Sequence, residues 1–106
     1  MTLIRKRLAK GTLTDTLSII YTAPVTSGSY TLPTGLWICN KSNSDTTVTI
    51  KIAGTEIIFE HIIEANDSLA INLKEANVLI EAGETLEAKA SVIDSITYYI
   101  SGVEVV

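Results

Sequence analysis

One cysteine, one histidine, one tryptophan and one phenylalanine in 106 residues remove several classes of protein at once. Cys39 has no partner for an intrachain disulfide, which fits synthesis and residence in a reducing compartment. Cys39 and His61 together fall short of a zinc tetrahedron, and no cofactor or metal is expected. A serine-hydrolase triad finds no Gly-x-Ser-x-Gly elbow and only His61 as a base. Ala82-Gly83-Glu84 lacks the Lys-Ser/Thr pair and the following helix of a phosphate cradle. Glu81, Glu84 and Glu87 flank a glycine turn, where solvated carboxylates are a better reading than a glycosidase pair. The chain is therefore read as something other than an enzyme.

Long apolar runs are missing too. None reaches the about 18 residues of a membrane helix, and no apolar segment follows the basic start as a secretion signal would. The expectation is a protein made in the cytoplasm that does not export itself. Asn40-Lys41-Ser42 matches a glycosylation sequon, which carries no weight without export.

What is present points to strands. Hydrophobic residues make up 46% of the chain and charged ones 19%, enough apolar side chain for a single real core. Ile, Val, Leu, Ala and Thr dominate, and branching at Cβ suits a pleated surface. Thr47-Val48-Thr49-Ile50-Lys51-Ile52 alternates with a period of two, and Ala53-Gly54 closes it. Glu56 to Ile63 follows, then a turn at Ala65-Asn66-Asp67, then Leu69-Ala70-Ile71-Asn72-Leu73. Leu17 to Thr22 reads as a strand with Leu17, Ile19 and Tyr21 on one side. Leu36 to Asn40 reads as a central strand buried on both faces, with Trp37 in the core and Cys39 a small buried hydrophobe. Lys41 to Asp45 is a hairpin loop. Glu75-Ala76-Asn77 leads into Val78-Leu79-Ile80. Thr85 to Val92 turns Leu86, Ala88, Ala90 and Val92 inward, and Ile96 to Val106 closes the chain with Gly102 as a bulge. The fold class expected is all-β, an antiparallel β-sandwich, jelly-roll-like, of about eight strands.

Charge divides the chain. Residues 1–10 hold Arg5, Lys6, Arg7 and Lys10 and no acid, whereas the other 96 hold four cations and 12 acids, a balance of −8. The expected layout is a basic N-terminal arm over 1–10 and a single sandwich domain over 11–106. Four cations without interleaved aromatics make a weak nucleic-acid footprint. Docking of the arm on an acidic face of a neighbouring copy, or simple solvation, is the preferred reading.

Two strands carry apolar residues on both faces. Alternation in Glu56–Ile63 sends Ile57, Phe59, His61 and Ile63 one way and Ile58, Glu60 and Ile62 the other. In Ile96–Val106 it separates Ile96, Tyr98 and Ile100 from Tyr99, Val103 and Val105. One face of each enters the core, and the other needs cover. Ile58, Ile62, Tyr99, Val103 and Val105 are thus the candidate oligomer interface, in a trimer or larger ring. Sugar binding is the main chemical alternative, with Tyr30 in a Ser/Gly loop as the candidate contact.

Several phrases carry a resemblance: Ile4-Arg5-Lys6-Arg7-Leu8, Gly11-Thr12-Leu13-Thr14, Tyr21-Thr22-Ala23-Pro24, Ile38-Cys39-Asn40, Val48-Thr49-Ile50, Leu79 to Leu86, and Ile100 to Val105. In order along most of the chain, they resemble small phage and prophage virion structural proteins of phages infecting Gram-positive bacteria. The resemblance implies a multicopy β-domain of tail, baseplate or head surface, made in the host cytoplasm and resident in the virion. It implies other virion proteins as partners, or host cell-wall polysaccharide if the domain contacts a receptor, and no membrane. Capsid decoration is the alternative location. Ser29-Tyr30-Thr31-Leu32-Pro33-Thr34-Gly35 departs from the pattern, because a β-branched strand is expected there and the chain is punctuated by Pro and Gly.

Overall fold

The computed structural model describes residues 2–74 and 78–106. The expected turn at Glu75-Ala76-Asn77 lies outside the described residues. Among the described residues there are nine strands: β1 (Leu3–Thr12), β2 (Ser18–Thr22), β3 (Tyr30–Asn40), β4 (Thr46–Ile52), β5 (Thr55–Ile63), β6 (Ser68–Asn72), β7 (Ile80–Glu81), β8 (Thr85–Ala90) and β9 (Ile96–Val105). Among the described residues there is no helix. Two antiparallel sheets face each other, one in the order β1-β9-β3-β6 with β7 beside β3, the other in the order β2-β8-β4-β5. The chain crosses between sheets after β1, β2, β3, β5, β7 and β8. This is the double-sheet jelly roll, and the expected class holds.

The core follows the alternation. Ile38, Ile96 and Ile100 of the first sheet meet Val48, Ile50, Leu86, Ala88 and Ala90 of the second, each no more than 2% exposed. Aliphatic side chains of this kind interdigitate between sheets about 10 Å apart. Leu86, Ala88 and Ala90 point inward as expected, while Val92 lies past the strand and is exposed.

Irregularities in register account for most departures from simple alternation. Residues 3–12 form edge strand β1, so the basic segment is part of the sandwich and the expected boundary at residue 10 is not a structural one. The punctuated stretch before Leu36 also belongs to a strand. Pro33 pairs with Gly102 and Gly35 with Ser101, which leaves Thr34 as an extra residue. On the other side of β9, Lys6 pairs with Gly102, Arg7 with Ser101 and Ala9 with Ile100, leaving Leu8 extra. The expected bulge at Gly102 thus falls on both its neighbours. A Cβ on Gly102 would sit 2.7 Å from the Leu32 carbonyl oxygen and 2.8 Å from Leu8 Cδ1.

In β2 a shift between Ile19 and Tyr21 puts Tyr21 inside and leaves Ile19 exposed, so the two do not share a face. Residues 41–45 connect β3 of one sheet to β4 of the other and do not form a hairpin. The hairpin at Ala53-Gly54 is real. Both residues have positive φ, 53° and 79°, as a two-residue turn with the twist of its strands requires.

Candidate interaction surfaces

The sandwich has two long sides, each where an edge of one sheet lies over an edge of the other. On one side the edges are β5 and β6. There β5 is doubly irregular: Val48 pairs with His61, Ile50 with Ile58 and Lys51 with Glu56, so β5 holds more residues than the β4 segment opposite. Glu60 takes a left-handed φ of 48°, and its N–H donates to Thr49 Oγ1 at 3.1 Å. The extra residues break the alternation assumed from sequence. Ile63 is buried and Ile58 packs half-buried against the core, whereas Ile57, Phe59 and Ile62 are 48%, 67% and 60% exposed. A cleft of about 380 Å³ runs between the two edges, lined by Ile57, Ile58, Phe59, His61, Leu69 and Ile71.

The predicted interface residues therefore separate. Ile62 is exposed on β5 and Tyr99 on the outward face of β9, in the other sheet. Val103 is half-buried, with Arg5, Leu32, Leu73 and Val78 around it. Val105 must be withdrawn: it is 1% exposed, between Leu3 and Tyr30 in register, out of reach of a partner chain. Ile58 is corrected as well, since its side chain belongs to the core margin. Phe59 and Ile57 were missed as surface residues because the β5 irregularities leave no trace in the hydrophobic pattern.

The outward face of the β1-β9-β3-β6 sheet is the second surface. Trp37, expected in the core, is 56% exposed there, and Cys39 beside it is half-buried. Trp37 pairs with Tyr99 on β9 and with Ala70 on β6, and Tyr99 pairs with Lys10 on β1. Residues opposite each other in antiparallel strands share a face. Lys10, Tyr99, Trp37 and Ala70 therefore form one row across the sheet. Of the predicted basic group, Arg5 and Arg7 join Lys10 on this face through their pairing with Val103 and Ser101. Lys6 turns the other way, and its Nζ donates to Glu104 Oε1 at 3.3 Å. Tyr30 opens β3 instead of lying in a loop; it is half-buried and pairs with Glu81 and Val105, which weakens it as a sugar contact.

Other polar groups are spent on the fold. Glu104, 8% exposed, accepts from the Tyr21 hydroxyl at 2.5 Å, and that hydroxyl also meets Thr31 Oγ1 at 2.9 Å. Burial first, then the bond to Glu104, pushes Tyr21 up to about 12. Glu84 Oε1 accepts from the Glu81 N–H at 2.8 Å, closing the turn it was expected to flank. Among the described residues no group of three or more His, Cys, Asp or Glu is placed to hold a metal ion. No helix among them is long and apolar enough to cross a membrane.

No protein-family model and no curated protein sequence matches the chain. Solved structures do. One is a chain from the disulfide-linked pili formed by Bacillus endospore appendages, at a TM-score of 0.55 and 11% identity, covering 97% of this chain and 87% of that one. Another is the Drosophila NLP core, described for its pentamer formation and histone binding, at a TM-score of 0.55 and 18% identity, covering 95% of this chain and 100% of that one. At such identities the likeness defines the fold class, an all-β sandwich, and nothing finer.

Proposed function

We propose that this chain is a structural building block that packs against copies of itself, in a virion of the phage type its sequence resembles. The observation that carries the reading is the strip of Ile57, Phe59 and Ile62 on the free edge of β5. Ile57 and Phe59 line the apolar cleft and Ile62 is exposed further along the same edge, large apolar side chains of the kind a subunit covers on assembly. The free ladder of an edge strand adds backbone hydrogen bonds to the same contact.

The occupant is a second copy, joined head to tail. Two β5 edges paired about a two-fold axis would bring Glu56 and Glu60 of one copy close to those of the other. Edge β1, on the other long side, carries Arg5, Arg7 and Lys10 besides the Glu104-bonded Lys6, has no acid, and offers the opposite sign. A head-to-tail contact closes into a ring or continues as a filament. Two of the structural neighbours are described as a pilus and a pentamer, which accords with a fold used for assembly. Tail or baseplate is the location proposed, with other virion proteins at the ends of the assembly. Capsid decoration is the alternative, and mass spectrometry of separated heads and tails distinguishes them.

Light scattering on a sizing column is the test. The wild-type chain is expected to elute as a trimer or larger species at high micromolar concentration. Ile62→Asp and Phe59→Asp, both at exposed sites, should keep the sandwich by circular dichroism and elute as monomers, because assembly would bury an unpaired carboxylate. A monomeric wild type, or variants that assemble normally, would remove the proposal.

A further inference from the structure

We infer that the outward face of the β1-β9-β3-β6 sheet is a binding platform for an acidic saccharide, with a pyranose ring on Trp37 and Tyr99 and the acid group on Arg7 and Lys10. The inference goes beyond self-assembly and does not rest on it: the β5 strip lies on the other sheet, and edge β1, which the head-to-tail contact shares with this face, is free in a monomer.

The register builds the platform in three parallel rows. In the middle row, Lys10, Tyr99, Trp37 and Ala70 stand side by side. One flanking row is Arg7, Ser101, Gly35 and Asn72; the other is Thr12, Thr97, Cys39 and Ser68. Two half-exposed aromatic side chains on adjacent strands are thus surrounded by small or hydroxyl-bearing residues. Gly35 and Ala70 contribute almost no bulk, and the notch they leave beside the aromatics measures about 270 Å³.

Each part matches one property of the ligand class. A pyranose presents an apolar C–H face that lies against an aromatic side chain and a girdle of hydroxyls that needs donors and acceptors at its rim. Ser101, Thr97 and Ser68 occupy that rim. The sheet places Arg5, Arg7 and Lys10 on this face, with Glu81 of β7 at its far, Tyr30 end, in a chain whose net charge is −4. A local excess of cations on an acidic protein selects an anionic ligand.

A second copy fits this face less well, because the interior of a paired sheet has no free strand ladder to offer, unlike the β5 edge. Single-stranded nucleic acid also stacks on aromatics and pairs with cations, but it makes little use of the hydroxyl rim.

Trp37 is the only tryptophan, so its fluorescence reports the platform directly. The experiment titrates the full chain with tetragalacturonic acid, with cellotetraose as the neutral control and an oligothymidylate as the polyanion control. A saturable blue shift is expected with the acidic saccharide, at least roughly tenfold tighter than with either control. Raising salt from about 50 to about 500 mM should weaken it. Tyr99→Ala and Lys10→Ala, both at exposed sites, should each lose roughly tenfold or more in affinity while Trp37 stays in place to report. Ile62→Asp, with edge β1 free, should bind at least as tightly as wild type, so failure of the assembly model and failure of this one read separately. No saturable change at millimolar saccharide, equal binding of the neutral sugar, tighter binding of the oligothymidylate, or unaltered titration of Tyr99→Ala would each overturn the inference.

Discussion

Asn40 holds a corner of the sandwich through one side chain. It is 0% exposed, and its Nδ2 donates to the carbonyls of Ser44 and Ile63 at 2.9 Å and of Glu64 at 3.3 Å. Its Oδ1 accepts from the Ser42 N–H at 3.0 Å and the Ser42 hydroxyl at 2.7 Å. The amide thus ties the β3–β4 crossover to the end of β5. Truncation leaves buried carbonyls without donors, so Asn40→Ala should lose roughly 2–4 kcal/mol in urea denaturation. Tyr21 allows a sharper test by pH. Its folded value of about 12 exceeds its ordinary value of 10.0, so the native state holds the phenolic proton more tightly than the unfolded chain. The stabilisation is complete below pH 10 and is lost as pH rises from 10 towards 12. Tyr21→Phe should be less stable than wild type at pH 8, because Glu104 loses a buried donor, and the difference should shrink as pH climbs through that window. A constant difference across the range would mean that the hydroxyl does not titrate as described. Neither role was visible in sequence: Asn40 read as part of an idle sequon and the end of a strand, and Tyr21 as a strand residue sharing a side with Leu17 and Ile19.

At the scale of elements, the crowded crossing around Gly102 matters most. Strand β9 lies between two strands that each carry an extra residue at that level, Leu8 in β1 and Thr34 in β3. Extra residues bend and twist a strand, and two opposite each other squeeze the chain between them. Only a residue without a side chain fits, since the nearest obstacle is the Leu32 backbone, which cannot swing aside. Gly102→Ala should therefore cost about 1–3 kcal/mol, measured as a lower denaturation midpoint at an unchanged m-value. The regular elements were legible beforehand. Thr47 to Ile52 lies within β4, Leu69 to Asn72 within β6, and Thr85 to Ala90 is β8, because their alternation survives intact. Where an irregularity inserts a residue, as in β5 and before Leu36, inside and outside exchange. Sequence alternation alone does not reveal that exchange.

Over the whole molecule, the long sides differ in chemistry. One ends in the apolar cleft of β5 and β6 and the other in basic β1 over β2. A free edge with exposed apolar side chains gains from pairing. If copies cover that edge, unfolding is linked to dissociation and the melting temperature depends on concentration. Calorimetry should show Tm rising with protein concentration for the wild type and staying flat for Ile62→Asp. A flat wild-type Tm would place the β5 strip in permanent contact with solvent.

Sequence alone determined the class of this protein. Short alternating runs rich in Ile, Val, Leu and Thr, punctuated every few residues, bury one face each and have no stable arrangement except packed sheets. It also determined that surplus apolar side chains exist and that the cations are gathered at one end. Tertiary structure decided which of those residues meet water. Side-chain direction in a strand depends on register, and register on irregularities fixed by contacts between segments distant in the chain. Hence Val105 is enclosed, Phe59 and Trp37 are exposed, and Lys10 and Trp37, far apart in sequence, stand in one row.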